Sequence, residues 1–124
     1  MAYEVRGPLL VVALEGQYYF HEAQTAIDKA INSTDRRGLS LLIDARRSAA
    51  NPSGEELAAR AEWISQLVKN GDLSPRCATV VGDSLFRGLT RMLSSFLEWR
   101  GVEMRVFEEI ETAVAWLLAR QLAE

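Results

Sequence analysis

Residues 41–48 run Leu41-Leu42-Ile43-Asp44-Ala45-Arg46-Arg47-Ser48, and the architecture follows from how this stretch is placed. From Leu39 to Ile43 there is almost no polar alternation. A strand that is apolar on both faces belongs inside a sheet covered on both sides, as in parallel α/β folds. The acid, the two arginines and the serine then mark its carboxyl end.

Working outward, the same grammar repeats. Upstream, Leu9 to Leu14 is a short aliphatic strand punctuated by Gly7-Pro8 and Glu15-Gly16, with Tyr3 to Arg6 as its partner strand at the sheet edge. Phe20, Ala23, Ile27, Ala30 and Ile31 recur three and four apart, which predicts a helix with one apolar face. Downstream, Ser53 and Glu56 have capping-box spacing ahead of a helix striped by Leu57, Ala61, Ile64 and Val68 and closed at Asn70-Gly71. Cys77 to Val81 is another buried strand, followed by a helix with Asp83 or Ser84 as its cap and Leu85, Leu89, Met92 and Phe96 inward. Glu103 to Phe107 alternates as a strand near an edge should, and Glu108 to Ala123 forms the last helix.

The predicted order is therefore ββαβαβαβα. Strands separated by single helices pair in parallel through right-handed crossovers. The expectation is an α/β domain over residues 1–124, with a mostly parallel five-stranded sheet, an antiparallel N-terminal edge strand and four helices. Ligands in such sheets gather at the carboxyl ends of the strands. Here that edge comprises residues 16–20, 44–53 and 82–84.

Composition narrows the function classes. The chain has 124 residues and a formal net charge of −3, which supplies no global positive field for nucleic acid. Its one cysteine, Cys77, excludes an intramolecular disulfide framework, and no Cys/His cluster has zinc-site spacing. The N-terminal apolar stretch is too short for a membrane span and carries no small-residue cleavage site, so the expected location is cytoplasmic. There is no Gly-rich phosphate loop or GxSxG elbow, and His21, the single histidine, has no nucleophile written beside it. The expectation is a protein that is not an enzyme and uses no metal or cofactor.

The short N-terminal hairpin, the LLIDAR strand exit, the Val80-Val81-Gly82-Asp83 strand exit and the closing segment with Arg105, Phe107, Ala113, Trp116 and Leu117 resemble the SpoIIAA-like family of the STAS superfamily, over nearly the whole chain. The resemblance implies a STAS-like fold and a binding or regulatory role. It also implies an analogy with anti-sigma factor antagonists, which carry a phosphorylated serine in an Asp-Ser-Ser-Gly-like motif after the third strand. The corresponding stretch here, Asp44 to Ala50, keeps the acid but lacks the serine pair; Ser48 and Ser53 are the nearby hydroxyls. The branch has further been grouped with lipid-transfer domains of the CRAL-TRIO type.

Two residue sets follow as candidates. The polar set, for an anion or a partner, comprises Asp44, Arg46, Arg47 and Ser48 at one strand exit, Asp83 and Ser84 at the next, and Arg87 and Arg91 four apart on the following helix. Its plainer reading is an Asx-type turn at Asp44 and a solvated charged face. The apolar set, for a pocket or an interface, comprises Tyr18, Tyr19, Trp63, Phe86, Leu97 and Trp99. Trp63 falls about 120° from its helix's inner stripe, and the helix after Asp83 is apolar over an arc of about 160°, more than one sheet face needs. The expected function is a non-catalytic regulatory or protein-interaction module, with a protein partner that includes a second copy of itself as a homodimer. The alternatives are a carrier or sensor of a small amphipathic, apolar or anionic ligand and, second, an anti-sigma antagonist controlled by serine phosphorylation.

Overall fold

The elements of the computed structural model are β1 (Ala2–Arg6), β2 (Leu9–Gly16), α1 (Phe20–Asn32), β3 (Ser40–Ser48), α2 (Gly54–Lys69), β4 (Arg76–Val80), α3 (Ser84–Glu98), β5 (Glu103–Phe107) and α4 (Ile110–Ala123). It describes residues 1–82 and 84–123, the side chains of 84–86 and 120–123 excepted. The five strands lie in the order β1-β2-β3-β4-β5, with β1 antiparallel to β2 and every later pair parallel. This is the α/β architecture expected from the sequence.

Because each crossover steps one strand further in the same direction, right-handed connection places α1, α2 and α3 on one face of the sheet. Helix α4 follows the last strand and returns over the other face. The sheet accordingly separates two apolar clusters. One joins Leu10, Val12, Leu41, Cys77 and Met104 to residues of the first three helices, and the other joins Leu9, Leu42, Ala78 and Val80 to Ala113 and Leu117 of α4. Neighbours Leu41 and Leu42 fall in different clusters because successive strand side chains point to opposite faces. This is why the strand has no polar alternation.

Local signals behave as the sequence predicts at the start of α2. Ser53 Oγ accepts from the Glu56 backbone N–H at 3.2 Å, and the Glu56 carboxylate accepts from the Ser53 N–H at 3.3 Å. Such a cap contributes about 1 kcal/mol. At the other end of α2, Gly71 takes a left-handed φ of 82°, a conformation glycine adopts without Cβ strain.

Helix α3 departs from expectation. Met92, expected inward, is 44% exposed, whereas Leu93 and Leu97 point into the core. Leu97, a candidate for the pocket or interface set, is 0% exposed and belongs to the core cluster of the first three helices. The reason is that α3 packs on α2 as well as on β5, so its wide apolar arc is divided between two neighbours.

The closing segment has a packing explanation too. Trp116 of α4 meets Phe107 with ring centroids 5.8 Å apart, and the Arg105 guanidinium lies 5.1 Å over the Trp116 ring. Arg105, Phe107, Ala113, Trp116 and Leu117 together fasten α4 to the β5 side of the sheet.

Candidate functional site

The stretch 41–48 is strand throughout, because β3 continues through Asp44 to Ser48. Its register against β2 shifts on the way. Ala13 pairs with Asp44 but Glu15 pairs with Arg47, so Ala45 and Arg46 together stand opposite Leu14. This is a β-bulge with one extra residue in β3. A shift of one residue turns every later side chain to the opposite face. Ala45 and Ser48 consequently face the first three helices, while Arg46 and Arg47 are exposed.

Asp44 holds the bulge. It accepts from the Arg46 backbone N–H at 3.2 Å and from Arg46 Nε and Nη2, both at 2.9 Å. The Arg46 hydrogen bonds hold the Asp44 carboxyl below its ordinary pKa, against the opposing effect of burial. In the unfolded chain that carboxyl titrates near 3.9. The folded state binds the proton less tightly, so the pair's stabilisation is complete above about pH 4 and is lost as pH falls through the depressed folded value. Asp44→Asn is expected to flatten the acid limb of the stability-versus-pH curve, measured by urea unfolding between about pH 2 and pH 6. An unchanged acid limb would show that the pair contributes nothing to acid sensitivity.

The other expected polar contacts are dispersed. Arg47 stands 3.8 Å from Glu15 across the β2–β3 pair, Arg87 pairs with Glu108, and Arg91 is exposed on α3. Asp83 and the side chains of Ser84 and Phe86 lie outside the described residues. Ser48 is 9% exposed and its Oγ accepts from the Ala50 N–H at 3.3 Å, whereas Ser53 is exposed at the start of α2.

What the fold does assemble is an apolar cavity of about 100 Å³ between the sheet and helices α1–α3, at the carboxyl ends of β2 and β3. Its walls include Leu14, Ile27, Ile43, Ala45, Ile64 and Leu93, and Ser48, Thr79 and Thr90 add hydroxyls. The strand order never reverses between parallel neighbours, so no crevice opens from a topological switch point. The opening lies instead between the helices, where Tyr18, Phe20, Pro52, Trp63 and Leu89 are partly exposed. Its rim is tied by Ala49 N–H donating to Gly16 at 2.9 Å and Gln17 Nε2 donating to Ala49 O at 2.7 Å.

Trp63 and Tyr18 of the apolar set are thus wall residues, and Trp63 meets Phe20 edge-on at 5.7 Å. Tyr19 and Trp99 are not. Tyr19 is 73% exposed and stacks on His21 at 5.6 Å, and Trp99 is 90% exposed beyond the end of α3. Neither Asp44 nor His21 lines the cavity. The Cys77 thiol is buried and its pKa is pushed up to about 12 by desolvation, which leaves it unreactive at neutral pH.

The residue missed in the sequence is Arg60. It lines the cavity, its guanidinium carbon sits 5.4 Å from the Tyr18 ring centroid and 5.3 Å from that of Phe20, and Nη1 donates to the Tyr18 hydroxyl at 3.1 Å. Its Nε is buried with no hydrogen-bond partner. A buried donor left unsatisfied costs about 1–3 kcal/mol, so such a group in a native fold calls for an explanation. A signal was present, because Arg60 lies three residues after Leu57 and four before Ile64, on the helix's apolar stripe.

A mostly parallel sheet with three helices on one face and one on the other is the architecture of a STAS-like domain, and here it carries an apolar cavity lined by Arg60 at the carboxyl edge of the strands. The chain belongs to the SpoIIAA-like family, whose model matches residues 9–118. No curated protein and no solved structure matches it. Among the described residues no helix is long and apolar enough to cross a membrane, and no group of three or more His, Cys, Asp or Glu could hold a metal ion.

Proposed function

We propose that this SpoIIAA-like domain is a non-catalytic regulatory module that takes up a small amphipathic ligand in the cavity beneath α1–α3. The observation that carries this reading is the cavity itself, apolar on its walls and bearing one guanidinium with an unsatisfied buried donor. Ligand sites are typically concave and apolar with a few convergent polar groups, and this cavity has that form. Asp44 is paired with Arg46 on the β3 bulge, His21 stacks on Tyr19, and neither lines the cavity, so neither is placed to act there as an acid or base. In this reading residues 1–124 act as one domain in the cytoplasm, where a lone buried thiol stays reduced.

The test is native mass spectrometry of freshly purified protein, followed by NMR titration with a panel of small amphipathic molecules. Uptake is expected to move the indole signal of Trp63 and leave those of Trp99 and Trp116 in place. A panel that produces no retained mass and no shift at Trp63 removes the reading.

A second reading, contact with a protein partner or a second copy, is favoured by Trp99 and Tyr19, whose large rings stand in solvent. Light scattering over a concentration series tests it. A constant monomer mass that Trp99→Ser leaves unaltered counts against self-association.

A further inference from the structure

We propose that the ligand's head is a carboxylate, bound side-on by Arg60 Nε and Nη2, and that its tail is a short aliphatic chain; this rests on the cavity reading above. The guanidinium is already oriented, because Nη1 is used by the Tyr18 hydroxyl and the cation lies against the Tyr18 and Phe20 rings. The edge opposite Nη1 is the one formed by Nε and Nη2, and neither nitrogen has a partner among the described residues. Two parallel N–H donors match the two oxygens of a carboxylate.

The rest of the cavity decides between anions. Among the described residues no second lysine or arginine lines it, so one positive charge faces the occupant. A monoanion balances that charge, whereas a dianionic phosphate would bring an uncompensated charge into an apolar space. The cavity of about 100 Å³ is smaller than the about 150 Å³ that takes up benzene, so it suits a short tail rather than a long one. Branched and straight short-chain monocarboxylic acids fit these limits. Long-chain lipids do not fit unless the helices part.

The experiment titrates the full chain at pH 7 with pentanoate, 1-pentanol and pentylamine, three probes that share a tail and differ in head. Pentanoate is expected to bind about tenfold or more tightly than the alcohol, the difference a charge-assisted bidentate pair confers. It should also shift the Arg60 Nε–H resonance, a direct readout of the edge that receives it. Arg60→Met is expected to bring acid and alcohol to equal affinity, and Arg60→Lys to restore only part of the preference because it keeps the charge and loses the fork. Equal binding of acid and alcohol by the unaltered protein, or a preference that survives in Arg60→Met, overturns the head-group assignment while leaving the cavity reading intact. Binding of none of the three overturns both. The comparison on the unaltered chain decides the matter even where Arg60→Met fails to fold.

Discussion

Leu97→Ala is expected to lower the unfolding free energy by about 3–4 kcal/mol, among the largest effects of any single truncation in this chain. Leu97 is fully buried, and its carbonyl accepts from both Arg100 and Val102, closing α3 onto the start of β5. Truncation removes three carbons from a site ringed by α2, α3 and β5, and the helix ends around it cannot collapse without breaking that turn. Urea unfolding measures the loss, and light scattering alongside it should record no change in mass. A change smaller than about 1 kcal/mol would place Leu97 at a surface, since only exposed positions tolerate such truncation so cheaply.

Ala23→Leu is expected to abolish ligand uptake, with an affinity loss of about a hundredfold or more, while the fold gains about 0.5–1 kcal/mol. Ala23 lies on the inward face of α1 and lines the cavity. Three added carbons take up most of a space of about 100 Å³. The substitution leaves Arg60, Tyr18 and the bulge untouched, so lost binding with retained stability reports on space alone. The same titrations measure binding, and urea unfolding measures stability. Wild-type affinity in Ala23→Leu would mean that the ligand lies elsewhere.

The legible part of this protein was its order of elements. Five strands and four helices follow from period and punctuation, because the aliphatic run of Leu9–Leu14 between its turn residues, the spacing of Ala23, Ile27 and Ala30, and the capping pair Ser53 and Glu56 are local effects that act within a few residues. The family was legible in the same way, since its signature at Arg105, Phe107, Ala113 and Trp116 is the set of side chains that seats α4 on the sheet. The carboxyl edge of the strands, singled out from parallel topology, is where the structure places its apolar cavity.

The rest required the third dimension. Residues 41–48 looked like a strand ending in a charge cluster, yet they are one strand with an added residue, and the bulge turns Ser48 inward and Arg47 out. No local pattern announces that shift, because it depends on the register of β3 against β2. The inward edge of α3 was equally out of reach, since an apolar arc that wide fits several rotations and only packing against α2 and β5 selects one. Arg60 illustrates the division most clearly. By itself the sequence determined that an arginine stands on the apolar stripe of a helix; that the rings of Tyr18, before α1, and Phe20, at its start, close over it and leave its Nε dry was decided by tertiary structure alone, because Tyr18 and Phe20 meet it across about forty residues of chain.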